Sequence, residues 1–176
     1  MQIISTPRLT LRPFYESDRE DTLAILMDTE VKKTYMIPDF ETEEAAMPLL
    51  NRPRQLSNEE NRFVRAICKD DRVVGFLNDV EVRDDQVELG YVIATAHRGN
   101  GYAPEAVKAA IEALFNRGFS VVKAGAFEGN NASFRVMEKS GMHLSGKTDS
   151  VTYRGEVHAC EYFIVEAEGC PAPQEI

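Results

Sequence analysis

The sequence predicts an α/β sandwich built on one mixed, mostly antiparallel central sheet that is flanked by helices. Three segments between residues 62 and 94 alternate apolar and polar positions and are separated only by Asp-Asp turns. This pattern is typical of an antiparallel meander. After residue 100 the apolar period lengthens to that of a helix, and an apolar strand follows at 119–127. The strand at 87–94, this helix and the strand at 119–127 therefore form a central βαβ unit, whose two strands are expected to run parallel.

The other elements follow from local signals along the chain. Ser17 or Asp18 can cap a first helix, and Asn130 can cap the last one, which Gly141 ends. Residues 29–60 contain three prolines and are expected to hold one or two short helices, including one at 41–50. In order, the expected elements are a strand at 9–14, a helix at 17–28, the short helices within 29–60, strands at 62–69, 73–82 and 87–94, a helix at 101–116, a strand at 119–127, a helix at 130–140, and strands at 143–152 and 156–166.

Length and charge narrow the possible functions. The 176 residues suit a single domain, expected over 1–168, with a C-terminal tail at 169–176. A net charge of −9 disfavours binding to nucleic acid or anionic lipid and favours cations such as amines, although it also simply keeps a protein soluble. We find no secretory leader, no apolar run long enough for a membrane span and no disulfide pattern among three scattered cysteines. These features predict a cytoplasmic protein.

The stretch HRGNGYAPEA, at residues 97–106, lies between a predicted strand and a predicted helix start. Gly99 and Gly101 let backbone N–H groups approach a ligand closely, and a helix N-terminus adds free N–H groups and partial positive charge. Together these favour an anion, typically a phosphate, to which Arg98 can add a charged fork. Asn100-Gly101 is also a common turn dipeptide, so a purely structural turn stays open on local sequence alone.

Two familiar nucleotide loops do not fit this stretch. A dinucleotide loop follows its strand at once and has an acidic residue about 20 positions later. Here four residues intervene, and the corresponding position reads Val121-Val122-Lys123. A Walker loop continues into Gly-Lys-Ser/Thr, and no such tripeptide follows the two glycines here.

Four segments, taken together and in order, match one known superfamily. RGNGYA at 98–103 fits an R/Q-x-x-G-x-G/A acyl-CoA loop, and NNASFRVMEKSGM at 130–142 fits an N-x-x-S-x-R-V-x-E-K-x-G-F helix. TPRLTLR at 6–12 fits a T-x-R-L-x-L-R opening, and ELGY at 88–91 fits an E-x-G-Y strand, with PEA at 104–106 continuing the loop. The chain thus resembles the GNAT N-acetyltransferase superfamily, and its opening resembles the branch that acetylates the N-terminal amine of ribosomal proteins.

The resemblance implies acetyl-CoA as co-substrate, and the spacing of histidines and cysteines predicts no metal site. It places the pyrophosphate on the glycine loop and the pantetheine arm against the end of the strand before it, where the strands of the βαβ unit would diverge. Asn130 would contact pantetheine and Ser133 would lie near the thioester, although a helix cap and an ordinary first-turn serine are equally common roles. The implied cofactor-binding residues are Tyr91, Val92, Ile93, Arg98, Gly99, Asn100, Gly101, Tyr102, Ala103, Asn130 and Ser133.

The chemistry requires a neutral amine, which attacks the thioester directly. Removing the proton at pH 7 costs roughly 4 to 5 kcal/mol for a lysine-like amine and about 1 kcal/mol for an α-amine. Glu88 is the candidate base by resemblance, against the alternative of a surface carboxylate. The superfamily's usual proton-donating tyrosine is replaced by Met137, which leaves Ser133 or the backbone donors at Ile93 to assist the leaving thiolate and the carbonyl.

The predicted function is acetyl-CoA-dependent transfer of an acetyl group to a primary amine. The acceptor would be a protein or peptide N-terminal amine or a small cationic amine. The missing tyrosine leaves open a non-catalytic acyl-CoA-binding regulator on the same fold. Histidines and cysteines do not cluster at metal-ligand spacings. The chain can act as a monomer or a homodimer, without nucleic acid or membrane partners.

Overall fold

The computed structural model describes residues 3–169, whose strands and helices alternate largely as the sequence predicts. The tail expected at 169–176 lies outside the described residues except for Gly169. The elements are β1 (Ile4–Ser5), β2 (Thr10–Arg12), α1 (Arg19–Met27), α2 (Thr29–Lys32), α3 (Glu43–Leu56), β3 (Val64–Lys69), β4 (Arg72–Arg83), β5 (Gln86–Ile93), α4 (Tyr102–Asn116), β6 (Val121–Phe127), α5 (Asn131–Lys139), β7 (His143–Tyr153) and β8 (Glu156–Glu166), with 3₁₀ turns at Glu16–Asp18 and Thr95–His97.

The strands form one sheet in the order β1-β2-β3-β4-β5-β6-β8-β7. Neighbouring strands are antiparallel except β5 and β6, which are parallel, so the predicted mixed sheet and its βαβ unit are confirmed. Pairing between β5 and β6 covers only Gln86–Glu88 against Val121–Lys123. Beyond Glu88, β5 continues to Ile93 without β6 beside it, and the two strands leave a gap that opens toward the start of α4.

Two hydrophobic clusters lie on opposite faces of the sheet. Neighbouring residues of β4 belong to different clusters. Leu77 packs with buried residues of α4 and α5, whereas Phe76 packs with buried residues of α1 and α3. Burial of this kind removes apolar side chains from water on both sides of the sheet, at about 25 cal/mol per Å². The helices therefore cover both faces, as expected for an α/β sandwich.

Helix α3 differs from the prediction. A helix was expected at 41–50, but α3 runs from Glu43 to Leu56 and contains Pro48 and Pro53. Each proline removes one backbone donor, which normally ends a helix. The side chain of Thr42 caps the helix by accepting the Ala45 N–H, and Ala46 and Leu50 are buried against the rest of the domain, so tertiary packing outweighs the local penalty. The short strand β1 was also not predicted.

The hairpin between β7 and β8 holds the loop that follows α2. The Tyr153 hydroxyl lies 2.8 Å from the carbonyl oxygen of Lys32 and 2.9 Å from that of Ile37. Arg154 forms an ion pair with Asp39, which also lies 3.5 Å from the ammonium of Lys32. The loop at 33–40 is therefore fastened across the sheet by residues more than 100 positions away.

Candidate active site

The glycine loop brings free backbone N–H groups to the start of α4. Gly99 and Gly101 have φ values of +80° and +75°, in the left-handed region where glycine carries no steric cost. The Asn100 amide folds back onto the carbonyls of His97 and Arg98, at 3.1 and 3.2 Å. Within residues 3–169, no protein acceptor is found for the N–H groups of residues 99–103. Five consecutive donors are thus available to an anion.

Arg8 holds this loop from behind. Its Nη1 donates to the Asn100 carbonyl at 2.8 Å and its Nη2 to the Gly101 carbonyl at 3.4 Å. Glu105, in the first turn of α4, accepts from the Arg8 Nε and from the Thr6 hydroxyl, both at 2.6 Å. Because the C=O and the following N–H point in opposite directions across a trans peptide, carbonyls turned toward Arg8 leave the next N–H groups facing away from it.

A cavity of about 380 Å³ lies between this loop, the end of β5 and the first turns of α5. Three basic side chains, Arg98, Arg135 and Lys139, line it. No Asp or Glu is among the described residues of its wall, although the whole chain carries −9. Ten of the eleven predicted cofactor residues line the cavity, namely Tyr91, Val92, Ile93, Arg98, Gly99, Gly101, Tyr102, Ala103, Asn130 and Ser133. The eleventh, Asn100, lies in the loop with its side chain turned away.

The gap between β5 and β6 adds backbone donors to the cavity. The Ala94 N–H donates to the Val74 carbonyl of β4 at 2.9 Å. Successive amides along a strand point to opposite sides, so the N–H groups of Ile93 and Tyr91 point away from β4. Since β6 has separated from β5 at this level, these groups face the gap and can pair with an extended, amide-containing ligand.

The start of α5 forms the opposite wall. The Asn130 Oδ1 accepts the Ser133 N–H at 3.2 Å, so the predicted N-cap is present. The Tyr91 hydroxyl donates to the Ser133 carbonyl at 3.1 Å, and burial raises the pKa of Tyr91 to about 12, so this hydroxyl stays a donor well into the alkaline range. Met137, which occupies the position where the superfamily usually has a proton-donating tyrosine, is fully buried in the core beneath this helix. Its side chain packs in the core and offers no proton donor.

Glu88 is not part of the cavity wall. It occupies the last position of β5 that pairs with β6. Its carboxylate lies 2.9 Å from the ammonium of Lys123, which is also 3.4 Å from the carboxylate of Glu81. Burial alone would lower the pKa of Lys123, but the two carboxylates outweigh this and raise it, so Lys123 stays charged. Glu88 shares the face of β5 with Gly90, two residues along, and this face is opposite to that of Tyr91.

The candidate site thus combines a splayed strand pair, an amide-lined loop and a basic cavity, and similar proteins identify the family to which the chain belongs. A family model described as an acetyltransferase (GNAT) domain matches residues 8–143. The chain belongs to the GNAT acetyltransferase family. Two Bacillus subtilis proteins are similar to this chain: YkkB, an uncharacterized protein, is 31% identical over 153 residues (80% of this chain and 84% of YkkB), and YoaA, an uncharacterized N-acetyltransferase, is 27% identical over 158 residues (86% and 89%).

A solved structure supports the same fold. The ribosomal L7/L12 α-N-protein acetyltransferase RimL, crystallised with coenzyme A, superimposes with a TM-score of 0.81 at 16% identity and covers 96% of this chain and all of its own. The expected GNAT fold and acetyltransferase class are therefore confirmed for this chain. No group of three or more potential metal ligands occurs among residues 3–169, and no helix in that range has the length and apolar character needed to cross a membrane.

The residues of this GNAT enzyme fit the chemistry of acetyl-CoA. Free loop amides and three cations that have no carboxylate partner among residues 3–169 suit phosphates, and the open edge of β5 suits the amides of a pantetheine arm. Several wall residues were not predicted. Arg135 and Lys139 lie four positions apart on one face of α5, a signal that the sequence contained, and Tyr35 comes from the loop after α2.

Replacing Arg8 with alanine is expected to weaken acetyl-CoA binding by about thirtyfold. The change removes the donors that hold the Asn100 and Gly101 carbonyls, and each such hydrogen bond contributes about 1 kcal/mol. The measurement is a calorimetric titration with acetyl-CoA. Arg72→Ala is the matched control, because Arg72 also pairs with a carboxylate, that of Asp21, away from the loop. Equal affinity of the two variants for acetyl-CoA would show that the hydrogen bonds from Arg8 to the glycine loop do not support binding.

Replacing Asn130 with aspartate separates the two roles assigned to this position. Aspartate retains an oxygen for the Ser133 N–H, so the helix cap and the melting temperature should be nearly unchanged. It lacks the amide donor and adds a negative charge beside the cavity, so KM for acetyl-CoA should rise severalfold. Asn130→Ala should lower stability by about 1 kcal/mol as well. A normal KM in the aspartate variant would leave only the cap role.

Proposed function

We propose that this GNAT enzyme transfers the acetyl group of acetyl-CoA to a primary amine by direct attack. A protein or peptide N-terminal amine is the first acceptor class, and a small cationic amine is the second. One observation carries the proposal: a cavity with three cations, no carboxylate and free loop amides, in a chain whose net charge is −9. RimL, named for acetylation of a ribosomal-protein α-amine, supports the first acceptor class by likeness of fold.

Residues of this chain assist proton removal from the amine, polarisation of the carbonyl and departure of the sulfur. The co-substrate supplies an activated thioester when bound. Glu88 accepts the proton of the amine from the opposite face of β5, through water, because it lies outside the cavity wall. The Ile93 N–H polarises the carbonyl from the gap between the strands. The Ser133 hydroxyl, at the start of α5, hydrogen-bonds to the departing sulfur in place of the tyrosine that Met137 replaces.

Release of free thiol from acetyl-CoA tests the proposal directly. The purified protein is mixed with acetyl-CoA and a panel of peptides, amino acid amides, polyamines and aminoglycosides. Turnover is expected with at least one α-amine, because deprotonating an α-amine costs only about 1 kcal/mol at pH 7. Absence of turnover on the whole panel, with acetyl-CoA bound, would contradict it.

A non-catalytic acyl-CoA-binding protein is the second candidate. The observation that favours it is the buried Met137, which offers no proton donor at a position where one is usual. This candidate requires binding of acetyl-CoA without transfer to any amine. Acetylation of any panel member, identified by mass, would eliminate it.

A further inference from the structure

A second cavity lies on the face of the sheet opposite to α4 and α5. It has a volume of about 280 Å³ and is enclosed by α1, α3, the loop after α2, and strands β3 and β4. Tyr35 lines both this cavity and the basic cavity described above, so one side chain forms their common wall.

The junction of the two cavities is polar and lies close to the candidate base. The Tyr35 hydroxyl is hydrogen-bonded to the Asn78 Oδ1, and both groups lie over Gly90. A Cβ built on Gly90 would come within 3.2 Å of Asn78 and 3.3 Å of Tyr35, so only glycine leaves this space free. Glu88 is two residues along the same face of β5, about 7 Å away at the rise of a strand. An amine at this junction has an acceptor in Asn78 and a base nearby.

The wall of the second cavity is mostly apolar beyond this junction. Leu26, Leu49, Leu56 and Phe76 are among its side chains. Such a wall favours an apolar body over a charged one, because an unpaired charge in an apolar site loses its hydration without compensation.

The ionisable residues of the wall carry no free negative charge. Asp79 is almost fully buried and is held by the Arg62 guanidinium, with contacts of 2.8 and 3.1 Å. Arg52 is exposed on α3, and no carboxylate pairs with it among the described residues. The wall therefore has a net charge of +1, opposite in sign to the whole chain, and a second ammonium in this cavity would have no partner and a repelling neighbour.

We infer that the second cavity is the acceptor pocket and that it takes a primary amine on an apolar body, rather than a polyamine or another polycation. The inference rests on the proposed function, since it places the amine of that reaction at Tyr35 and Asn78. It also narrows the small cationic amines that the net charge favours to those that carry a single ammonium on an apolar body. An N-terminal residue with an apolar side chain and a free hydrophobic amine share this chemistry.

Two probes of similar length test the inference by binding. L-Norleucinamide and L-lysinamide both carry an α-amine, but only the second carries an additional ammonium at the end of its side chain. Each is titrated calorimetrically into the protein saturated with coenzyme A. We expect norleucinamide to bind at least tenfold more tightly. Equal or tighter binding of lysinamide, or binding of neither, would overturn the inference. Loss of coenzyme A binding would instead contradict the proposed function.

A charge reversal at the wall gives an independent readout. Arg52→Glu should reduce the preference for norleucinamide severalfold, because it replaces the repelling cation with a partner for the second ammonium. Arg54→Glu makes the same change in charge on the same helix but outside the wall, where Arg54 pairs with Glu16, and after correction for any loss of stability it should leave the preference unaltered. Equal effects of the two variants would show a general electrostatic effect and overturn the assignment to this cavity. Comparing a peptide that begins with norleucine to the free amide then distinguishes the two sources of the acceptor.

Discussion

Replacing Gly101 with glutamate is expected to abolish the thermal stabilisation that acetyl-CoA gives to the protein. At about 100 times its dissociation constant, a ligand stabilises the folded state by about 2.7 kcal/mol, which corresponds to a rise of several degrees in Tm. A Cβ on Gly101 would lie 3.3 Å from the Arg8 Nη2, so a glutamate side chain there displaces the guanidinium that holds the loop and adds a negative charge to the loop whose amides would bind phosphates. The measurement is thermal unfolding with and without saturating acetyl-CoA.

The control must separate loss of binding from backbone strain. Gly101 has φ of +75°, where any L side chain costs about 1 to 2 kcal/mol. Gly146→Glu is matched, because Gly146 has φ of +73°, is exposed on β7 and has no atom within 4 Å of an added Cβ. Both variants should lose stability without ligand through the positive φ, Gly101→Glu also through its contact with Arg8, and only Gly101→Glu should fail to respond to acetyl-CoA. An undiminished response would show that this loop is a turn and nothing more.

Replacing Glu88 with glutamine is expected to lower kcat/KM at neutral pH by about 10² to 10⁴, the range of general-base catalysis. The loss should shrink as pH rises, since the amine then loses its proton to solvent. A pH–rate profile from pH 6 to 10 with the best amine of the panel measures this. The effect should be larger for a lysine-like amine than for an α-amine, which is easier to deprotonate.

Glu81→Gln is the matched control for this substitution. Glu81 and Glu88 both contact the ammonium of Lys123, at 3.4 and 2.9 Å, so either change removes one partner of that partly exposed cation. If Glu88 only neutralises Lys123, the two variants should behave alike. A pH profile of Glu88→Gln that matches that of Glu81→Gln would remove Glu88 from the mechanism.

Local patterns predicted most of this fold because the elements obey them. The alternation in β3, β4 and β5 matches a sheet with helices on both faces, and Gly118 and Gly141 end α4 and α5 with positive φ. Helix α3 was predicted too short because local rules stop at a proline, whereas burial of its apolar face keeps the helix intact. That burial depends on partners distant in sequence, which no window of neighbouring residues contains.

In the candidate site too, residues with local sequence signals could be predicted, whereas residues brought together by tertiary folding could not. Residues of the glycine loop and the start of α5 could be predicted, because amide-lined turns and caps have local signatures. Arg8 and Glu105, which pair behind the glycine loop, are 97 positions apart. The sequence therefore showed them only as members of two separate motifs. Tyr35 comes from a loop with no regular period and reaches the site by tertiary folding alone. The lysine that pairs with Glu88 could not be assigned without the register of β5 on β6.

The contact between the final hairpin and the loop after α2 also sets the order in which the site can be completed. A ribosome releases the chain from its N-terminus, so residues 33–40 emerge more than 100 positions before Tyr153 and Arg154. Contacts between such distant segments form late, because the loop between them must close first. The wall that holds Tyr35 is therefore fastened only after the last strands have emerged and paired. A nascent or C-terminally shortened chain that lacks Tyr153 and Arg154 lacks the contacts that fasten the wall of the second cavity.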